Sequence, residues 1–322
     1  MAENLPGRPC VSGRRHPMEM IDLSVDLGFI KLKNPVIAAS GTFGYGEEFT
    51  PFLDLNQLGG YVVKGLYFNP RQGNPPPRLV ETVGGLINAI GLQGVGVHCF
   101  SEEILPRLRG YDTALIINVC GEDEEEYVRI VDFLNSQEGI AAYEINISCP
   151  NVKQGGQCPA LEARTTHSVV RLVKAASRRP IITKLSPNVR DISEIAEAAQ
   201  EAGTDAVSLV NTFLAMAIDA ETRRPKLTNV FGGLSGPAIK PIALRMVYQT
   251  AQRLRVPVIG MGGIMSGPDA LEYLIAGAAA VQVGTANFVN PDSTVNIIRE
   301  LTEHCRSQNI SRLSDLIGSI RL

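Results

Sequence analysis

The chain has 322 residues, of which 44% are hydrophobic and 20% are charged, and its formal net charge is −3. This composition is typical of a globular protein with ample apolar material for a core, and without a basic run it argues against nucleic acid as the main partner. No apolar run approaches the roughly 18 residues that a membrane-spanning helix needs, and the N-terminus lacks the apolar segment of a secretory signal.

Residues 1–20 precede the first regular pattern, and we expect them to form a flexible extension in front of a single domain over residues 21–322. The domain begins with a predicted hairpin over residues 23–33 that turns near Gly28. Eight short apolar segments follow, and each precedes a turn and a helix-like segment. These predicted strands are residues 35–39, 60–64, 115–118, 143–147, 181–185, 206–211, 257–260 and 280–283.

Most of these segments are continuously apolar, as expected for parallel strands that are buried on both faces. Eight strands that alternate with helices predict an α/β fold, a single (β/α)8 TIM barrel with its active site at the C-terminal ends of the strands. A doubly wound open sheet is the alternative, but the GxGxxG turn expected after its first strand is missing.

Three of the predicted helices have recognisable ends. Asp191 can cap a helix that contains Glu194 in its first turn, and Gly203 follows the apolar stripe of that helix. The other two helices are predicted over residues 237–253 and 268–276, each with a proline at its start.

Polar residues and glycines follow the strands at the rim where barrels of this kind carry their active sites. Two long insertions, residues 67–92 and 213–234, leave the same rim, and we expect them to shape or cover a site. Two lysines and three asparagines among the strand ends make a functional site the favoured interpretation. The polar strand ends are Ser40, Lys64, Asn118, Asn146, Lys184, Asn211 and Thr212.

The fourth predicted strand ends in the stretch YEINISCPNVKQGG, residues 143–156, where Pro150 stops the regular strand and Cys149 enters a loop. An isolated cysteine at a strand end is more often a buried, inert side chain than a catalytic group. Beside lysines, amides and a phosphate site, Cys149 becomes a candidate base. Residues 151–157 are then predicted to form a mobile lid over the substrate.

The six cysteines form no CxxC pair, and their spacing matches neither a disulfide framework nor the ligand set of an iron–sulfur cluster. We therefore expect a reducing, cytoplasmic compartment in which Cys149 stays a thiol, and we predict no metal site.

Three glycine-rich turns offer backbone N–H groups to a ligand: GGLSGP at residues 232–237, GMGGI at 260–264 and VGTA at 283–286. In such barrels the loops after strands seven and eight form the usual phosphate site. An ordinary turn explains any one of them, but the combination favours a bound phosphate. Lys64 and Lys184 can stabilise an electron-rich reduced flavin ring, which weakly favours FMN over a phosphosugar, whose enzymes also use lysines.

The motifs extend in a fixed order over most of the chain, from about residue 23 to residue 290. They are NPVIAASGTFGYGEEF (34–49), VVKG (62–65), PPPRLVET (75–82), INAIGLQGVG (87–96), EINISCPNVKQGG (144–156), TKLSPN (183–188), SLVNT (208–212), GGLSGPAIKP (232–241), MGGI (261–264) and VGTA (283–286). In this order and number they resemble the class 1 dihydroorotate dehydrogenase family, and NVKQGG, NAIGLQ and GGLSGPAIKP indicate its class 1B catalytic subunits.

The resemblance implies a non-covalent FMN and the oxidation of (S)-dihydroorotate to orotate in de novo pyrimidine biosynthesis. It also implies that hydride passes from C6 of the substrate to N5 of the flavin, and that Cys149 removes the C5 proton. Class 1B catalytic subunits are homodimers that associate with an electron-transfer subunit into a heterotetramer. That partner carries FAD and a 2Fe–2S cluster and passes the electrons to NAD+.

The resemblance also implies a role for each matching residue. Lys64 and Asn146 contact both flavin and substrate. The remaining flavin contacts are Ser40, Gly65, Asn118, Lys184 and Val210, and the phosphate contacts are Gly236, Gly262, Gly263, Gly284 and Thr285. The remaining substrate contacts are Asn88, Ala89, Ile90, Gly91, Leu92, Asn151, Asn211 and Thr212.

Three alternatives stay open. A class 1A dihydroorotate dehydrogenase would reduce fumarate without a partner subunit. An FMN-dependent reductase would act on a related pyrimidine such as uracil. A phosphate-binding barrel could instead be a lyase or isomerase with no redox chemistry. Residues 1–20 depart from the family pattern and carry no predicted function.

Overall fold

The computed structural model describes residues 21–148 and 159–322. Eight parallel strands form its centre: β1 (Val36–Ala38), β2 (Gly60–Val62), β3 (Ala114–Val119), β4 (Ala142–Asn146), β5 (Ile181–Lys184), β6 (Ala206–Leu209), β7 (Val258–Met261) and β8 (Ala280–Val283). Each strand pairs with the next along the chain, and β8 pairs with β1, so the sheet closes into a barrel. Each of the eight predicted segments supplies one strand, which confirms the predicted TIM barrel.

Nine α-helices lie within the described residues, and their buried faces pack with the outward faces of the strands in the larger apolar core. They are α1 (Gly96–Cys99), α2 (Leu105–Leu108), α3 (Glu124–Leu134), α4 (Ala163–Ala176), α5 (Ile192–Glu201), α6 (Lys240–Ala251), α7 (Gly267–Ile275), α8 (Ala286–Val289) and α9 (Ser293–Ser307). Within residues 21–148 and 159–322, no helix combines the length and apolar character that crossing a bilayer requires.

The predicted helix ends are confirmed with small shifts. Asp191 caps α5 by accepting a hydrogen bond from the N–H of Ser193, and Gly203 follows the helix with a φ of 94°. The helix expected over residues 237–253 starts as a 3-10 turn, Pro237–Ile239, before it continues as α6. The helix expected over residues 268–276 is α7.

A hairpin closes the N-terminal end of the barrel. Its strands, Val25–Asp26 and Lys31–Leu32, pair antiparallel around Gly28, as the sequence predicts. Val25, Leu27 and Leu32 form a second apolar core with one buried residue from each barrel strand. Asp22, just before the hairpin, pairs with the far end of the described chain, because the N–H of Leu313 donates to its carbonyl at 2.9 Å.

The two long insertions meet in an antiparallel sheet above the C-terminal rim of the barrel. In spatial order its four strands are Phe213–Met216, Phe231–Ser235, Gly85–Asn88 and Leu79–Thr82. A separate pair, Ile218–Asp219 and Arg224–Pro225, lies within the second insertion. The insertions therefore frame the rim, as expected.

Candidate active site

A buried polar layer lies inside the barrel, next to the second apolar core. The eight barrel residues of that core, one from each strand, are called the floor residues below. Residues i and i+2 of a strand point to the same face. The residues two positions beyond the floor residues of β3, β4, β5, β6 and β8 therefore also face the interior. They are all polar and buried: Asn118, Glu144, Lys184, Ser208 and Gln282. The candidate active site begins at this polar layer.

Glu144 is the centre of the polar layer and is fully buried. Its Oε1 accepts hydrogen bonds from Asn118 Nδ2 at 2.7 Å and from Lys184 Nζ at 3.2 Å. Its Oε2 accepts from Ser208 Oγ at 3.0 Å and from Gln282 Nε2 at 2.6 Å. The sequence prediction missed Glu144. Its signal was a carboxylate inside a strand that must be buried on both faces.

A chain of hydrogen bonds, called the amide chain below, connects the predicted asparagines. Asn146 Nδ2 donates to Asn118 Oδ1 at 3.3 Å, and Asn146 Oδ1 accepts from Ser148 Oγ at 2.8 Å. Ser148 Oγ in turn accepts from Asn211 Nδ2 at 2.5 Å. Asn211 Oδ1 accepts from the backbone N–H of Thr212 at 2.9 Å. The structure thus joins four predicted residues through Ser148, which the prediction missed.

The two predicted lysines differ in their electrostatic surroundings. Burial is the main reason why the pKa of Lys64 is lowered; Arg78 lowers it further and Glu48 opposes the shift. Within the described part of the chain, Lys64 Nζ forms no hydrogen bond or ion pair. Lys184, in contrast, is ion-paired with Glu144. Of these two lysines, Lys64 is therefore the one whose positive charge is available to pair with a ligand.

Two predicted flavin-lining residues lie beside Lys64. Ser40 Oγ donates to the carbonyl of Val63 at 2.8 Å. A methyl group at Gly65 would lie 2.9 Å from Asn118 Oδ1 and 2.8 Å from Cys120 Sγ, so a side chain there would collide with the polar layer.

A second part of the rim, called the glycine side below, contains Gly236, Gly262, Gly263, Gly284 and Thr285. A methyl group at Gly262 would lie 2.7 Å from Ala243 Cβ, and one at Gly263 would lie 2.8 Å from the carbonyl oxygen of Gly236. A methyl group at Gly284 would meet no atom closer than 3.7 Å. Gly284 is the member with room above its backbone.

The glycine side presents unused donors. Among the described residues, none accepts a hydrogen bond from the backbone N–H of Gly262, Gly263 or Gly284. Thr285 Oγ1 donates to Ser235 Oγ at 2.8 Å, which adds a hydroxyl that the prediction missed. Val210 approaches the same place, because its Cγ2 lies 3.4 Å from where a Gly262 Cβ would stand. Such donors suit an anion.

The predicted substrate residues Asn88 and Thr212 meet at one glycine of the four-stranded sheet. Asn88 Nδ2 donates to the carbonyl of Gly233 at 3.1 Å. A methyl group at Gly233 would stand 2.0 Å from Thr212 Oγ1, so the hydroxyl lies directly on this backbone. Leu92 reaches the barrel, with Cδ2 at 3.9 Å from where a Gly65 Cβ would stand.

Asn74 forms hydrogen bonds with the middle of the predicted substrate segment, residues 88–92. Its Nδ2 donates to the carbonyl of Ala89 at 2.9 Å, and its N–H donates to the carbonyl of Ile90 at 3.0 Å. Gly91 follows with a φ of 75° and leaves no space for a side chain against Asn74. The N–H of Ala89 donates to the carbonyl of Arg78 at 2.8 Å. Asn74 and Arg78 flank the three prolines at positions 75–77, and neither of them is among the predicted site residues.

Cys149, Asn151 and the predicted lid over residues 151–157 lie outside the described residues. Their roles stay predictions. The last described residue before them is Ser148, a member of the amide chain.

Comparison with known proteins identifies the family and agrees with the fold. Residues 22–305 match the family described as "Dihydroorotate dehydrogenase". A protein of Bacteroides thetaiotaomicron named "Dihydroorotate dehydrogenase B (NAD(+)), catalytic subunit" is 50% identical over 94% of this chain and 100% of its own length. A protein of the same name from Geobacter sp. strain M21 is 52% identical over 95% of this chain and 100% of its own.

The fold also occurs among solved structures. The crystal structure of DHODH from Eimeria tenella in complex with ferulenol superimposes with a TM-score of 0.77, covering 97% of this chain and 91% of that chain. At 23% sequence identity, this likeness supports the barrel architecture alone.

Proposed function

Because the chain belongs to the dihydroorotate dehydrogenase family, we propose that it is the catalytic subunit of an enzyme that oxidises (S)-dihydroorotate to orotate with NAD+ as final electron acceptor. The reaction is a step of de novo pyrimidine biosynthesis. The observation that carries the proposal is the amide chain beside Lys64. Such a set suits a planar ring with alternating carbonyl and N–H groups and a carboxylate.

The family is flavin-dependent, and we propose FMN as the cofactor. The glycine side fits a phosphate, since three N–H groups have no acceptor among the described residues and Gly284 leaves room for close approach. The polar layer and Lys64 fit the ring, because their donors and the cation suit its polar edge. When bound, FMN supplies the two-electron acceptor of the oxidation.

We propose the following contacts. The flavin ring lies against Ser40, Lys64, Gly65, Asn118, Asn146, Lys184 and Val210, and its phosphate against Gly236, Gly262, Gly263, Gly284 and Thr285. The substrate lies against Lys64, residues 88–92, Asn146, Asn151, Asn211 and Thr212. Lys64 is suited to the substrate carboxylate or the flavin edge, because its ammonium forms no ion pair within the described residues.

We assign the base to Cys149. The C5 proton of dihydroorotate lies α to a ring carbonyl, and a base that removes it should titrate near neutral pH, which a thiol can do. The proton passes from C5 to the Cys149 thiolate while C6 loses a hydride, for which bound FMN would be the acceptor, so that a C5=C6 double bond forms. The amide chain holds the ring during this step, and the thiol later returns its proton to water.

We also propose a partner. The relatives carry the name of a catalytic subunit of an NAD+-dependent enzyme, which implies a second subunit in those proteins. For this chain we propose a homodimer that binds an electron-transfer subunit with FAD and a 2Fe–2S cluster, giving a heterotetramer. The cysteine spacing, which suits no cluster, agrees with cluster and NAD+ being handled by that subunit. Cysteine usage also favours the cytoplasm.

An absorbance spectrum of the purified chain tests the proposal. We expect a flavin spectrum that dihydroorotate bleaches under anaerobic conditions and that dihydrouracil, the matched control without the carboxylate, leaves unchanged. Reoxidation by NAD+ should require the partner subunit. A protein that stays colourless after reconstitution with FMN would refute the proposal and favour a non-redox barrel enzyme. Rapid reoxidation of the isolated chain by fumarate would place it in class 1A.

A further inference from the structure

Glu144 has properties that the proposed reaction does not explain. It is fully buried, and its two carboxylate oxygens accept four hydrogen bonds from donors on β3, β5, β6 and β8. The two donors on each oxygen fill the usual acceptor sites of a carboxylate, and one of the donors is the Lys184 ammonium at 3.2 Å. Glu144 is therefore a fixed acceptor in the centre of the barrel.

A fixed acceptor dictates the orientation of the amide beside it. Asn118 must turn its NH2 group to Glu144, so its Oδ1 points to Asn146. Asn146 must then present its own NH2 to Asn118 and its oxygen to Ser148. Ser148 donates in that bond and so accepts from Asn211. The donor and acceptor pattern along the amide chain thus follows from one carboxylate.

Glu144 also sets the charge of the site. Lys184 and Glu144 are both buried, with side-chain exposures of 6% and 0%, and form an ion pair at 3.2 Å. A buried ammonium without this partner would leave an uncompensated positive charge beneath the rim.

We propose that Glu144 is a positioning residue, which neutralises Lys184 and fixes the direction of the amide chain without touching substrate or cofactor. The role rests on the proposed function, because it acts through Lys184 and Asn118 as flavin contacts and through Asn146 and Asn211 as substrate contacts.

The proposed neutralisation of Lys184 by Glu144 is tested in purified, FMN-loaded protein that carries the substitution Glu144→Gln. The new amide fits, because Gln282 Oε1 has no partner within the described residues and can turn to accept from it. The unpaired Lys184 should raise the flavin potential by about 30 mV, a tenfold change in the two-electron equilibrium constant. Tyr143→Phe is the matched control. Tyr143→Phe removes two part-buried hydrogen bonds on the other face of β4, one donated to Asn135 and one accepted from Arg179. It should lower Tm and leave the potential unchanged.

Lys184→Met should shift the potential in the opposite direction, because it leaves Glu144 uncompensated. The double variant Glu144→Gln/Lys184→Met removes both charges and should fold even if a single variant does not. Its potential should lie above that of Lys184→Met, which lacks the same flavin contact but keeps the uncompensated Glu144. A potential of Glu144→Gln equal to or below the wild type overturns the charge role. If that variant does not fold, equal potentials of the double variant and Lys184→Met overturn it.

The direction of the amide chain is tested in the same neutral background. Glu144→Met/Lys184→Met has no acceptor for Asn118, whereas Glu144→Gln/Lys184→Met keeps one. Orotate should bind the methionine variant about tenfold more weakly, because the Asn118 amide loses its fixed orientation. Equal dissociation constants overturn this role. A wild-type protein that binds no FMN or orotate would instead refute the proposed function, so the two failures are distinct.

Discussion

The amide chain and the glycine side share one rim but use different parts of the polypeptide. The amide chain consists of side chains whose donors and acceptors are oriented by hydrogen bonds, ultimately to Glu144. The glycine side consists of backbone, and its usefulness depends on the absence of side chains at Gly262, Gly263 and Gly284. Substitutions that remove atoms damage the amide chain, and substitutions that add atoms damage the glycine side. Opposite kinds of substitution therefore test the two regions.

The largest effect is expected for Cys149→Ser. Cys149 is proposed as the base and not as a flavin contact, so the variant should keep its flavin. Reduction by dihydroorotate should slow by about 10²–10⁴-fold, because a serine is a much weaker acid than a cysteine. Stopped-flow absorbance near neutral pH measures the rate. Cys99→Ser, which changes a free, partly exposed cysteine of α1, should react like the wild type. An unchanged rate for Cys149→Ser would remove this residue from the mechanism.

Gly263→Ala and Gly284→Ala separate the two requirements of the glycine side. Gly263 has a φ of 69°, and its added methyl group would lie 2.8 Å from the Gly236 carbonyl oxygen. We expect a loss of about 1–3 kcal/mol in the free energy of unfolding, together with loss of FMN.

Gly284→Ala meets no such obstacle, since the nearest atom would be 3.7 Å away. Its unfolding free energy should change by no more than about 0.5 kcal/mol. FMN affinity, measured by quenching of flavin fluorescence, should nevertheless fall, because the methyl group occupies the space proposed for the phosphate. Unchanged affinity would show that this glycine is free of the cofactor.

Lys64→Met should weaken orotate binding by about tenfold to 100-fold, the range for a lost charge-assisted hydrogen bond. The pKa of Lys64 is lowered, chiefly by burial, so its charge is complete below that pKa and disappears as pH rises through it. Orotate affinity should therefore decline at a pH below the usual titration range of lysine.

The control for this titration is Lys64→Arg, which keeps a positive charge throughout the accessible pH range. Its orotate affinity should show no decline in that window, and that of Lys64→Met should be flat as well. A wild-type profile without the decline would contradict the role of the Lys64 ammonium.

The smallest effect is expected for Asp191→Ala, because Asp191 belongs to neither the amide chain nor the glycine side. Loss of the α5 cap should lower the unfolding free energy by about 1 kcal/mol, while flavin and orotate binding stay unchanged. The pKa of Asp191 is lowered, mainly by the hydrogen bond from the Ser193 N–H. Its stabilisation is therefore present above the unfolded pKa and is lost as pH falls through the folded pKa. The difference from Asp191→Asn, which keeps an acceptor, should be smallest in acid.

The barrel was predictable because its strands are buried on both faces and each one therefore appears as an apolar segment. The position of the rim followed from the same pattern, since Lys64, Asn118 and Lys184 stand where apolar strands end. The four-stranded sheet was not predictable in detail. It joins two insertions that are far apart in sequence, and their pairing depends on backbone contacts such as Gly233 with Asn88.

Glu144 shows where sequence patterns fail. A carboxylate inside a strand that is buried on both faces marks Glu144 as unusual. Its partners, however, are donors at four other strand positions, which no local pattern reveals. The glycines illustrate a related limit. Gly263 and Gly284 look alike in the sequence, yet one is required by backbone geometry and the other leaves room for a ligand.

The hairpin at the floor of the barrel has a consequence for how the chain folds during synthesis. Val25, Leu27 and Leu32 pack against residues of all eight strands, and Asp22 pairs with Leu313. An emerging chain therefore carries these apolar side chains from the start but can bury them only when almost its entire length has left the ribosome. Contacts of such long sequence separation form late. Until then these side chains are exposed hydrophobic surface, of the kind that makes partly folded chains prone to aggregate.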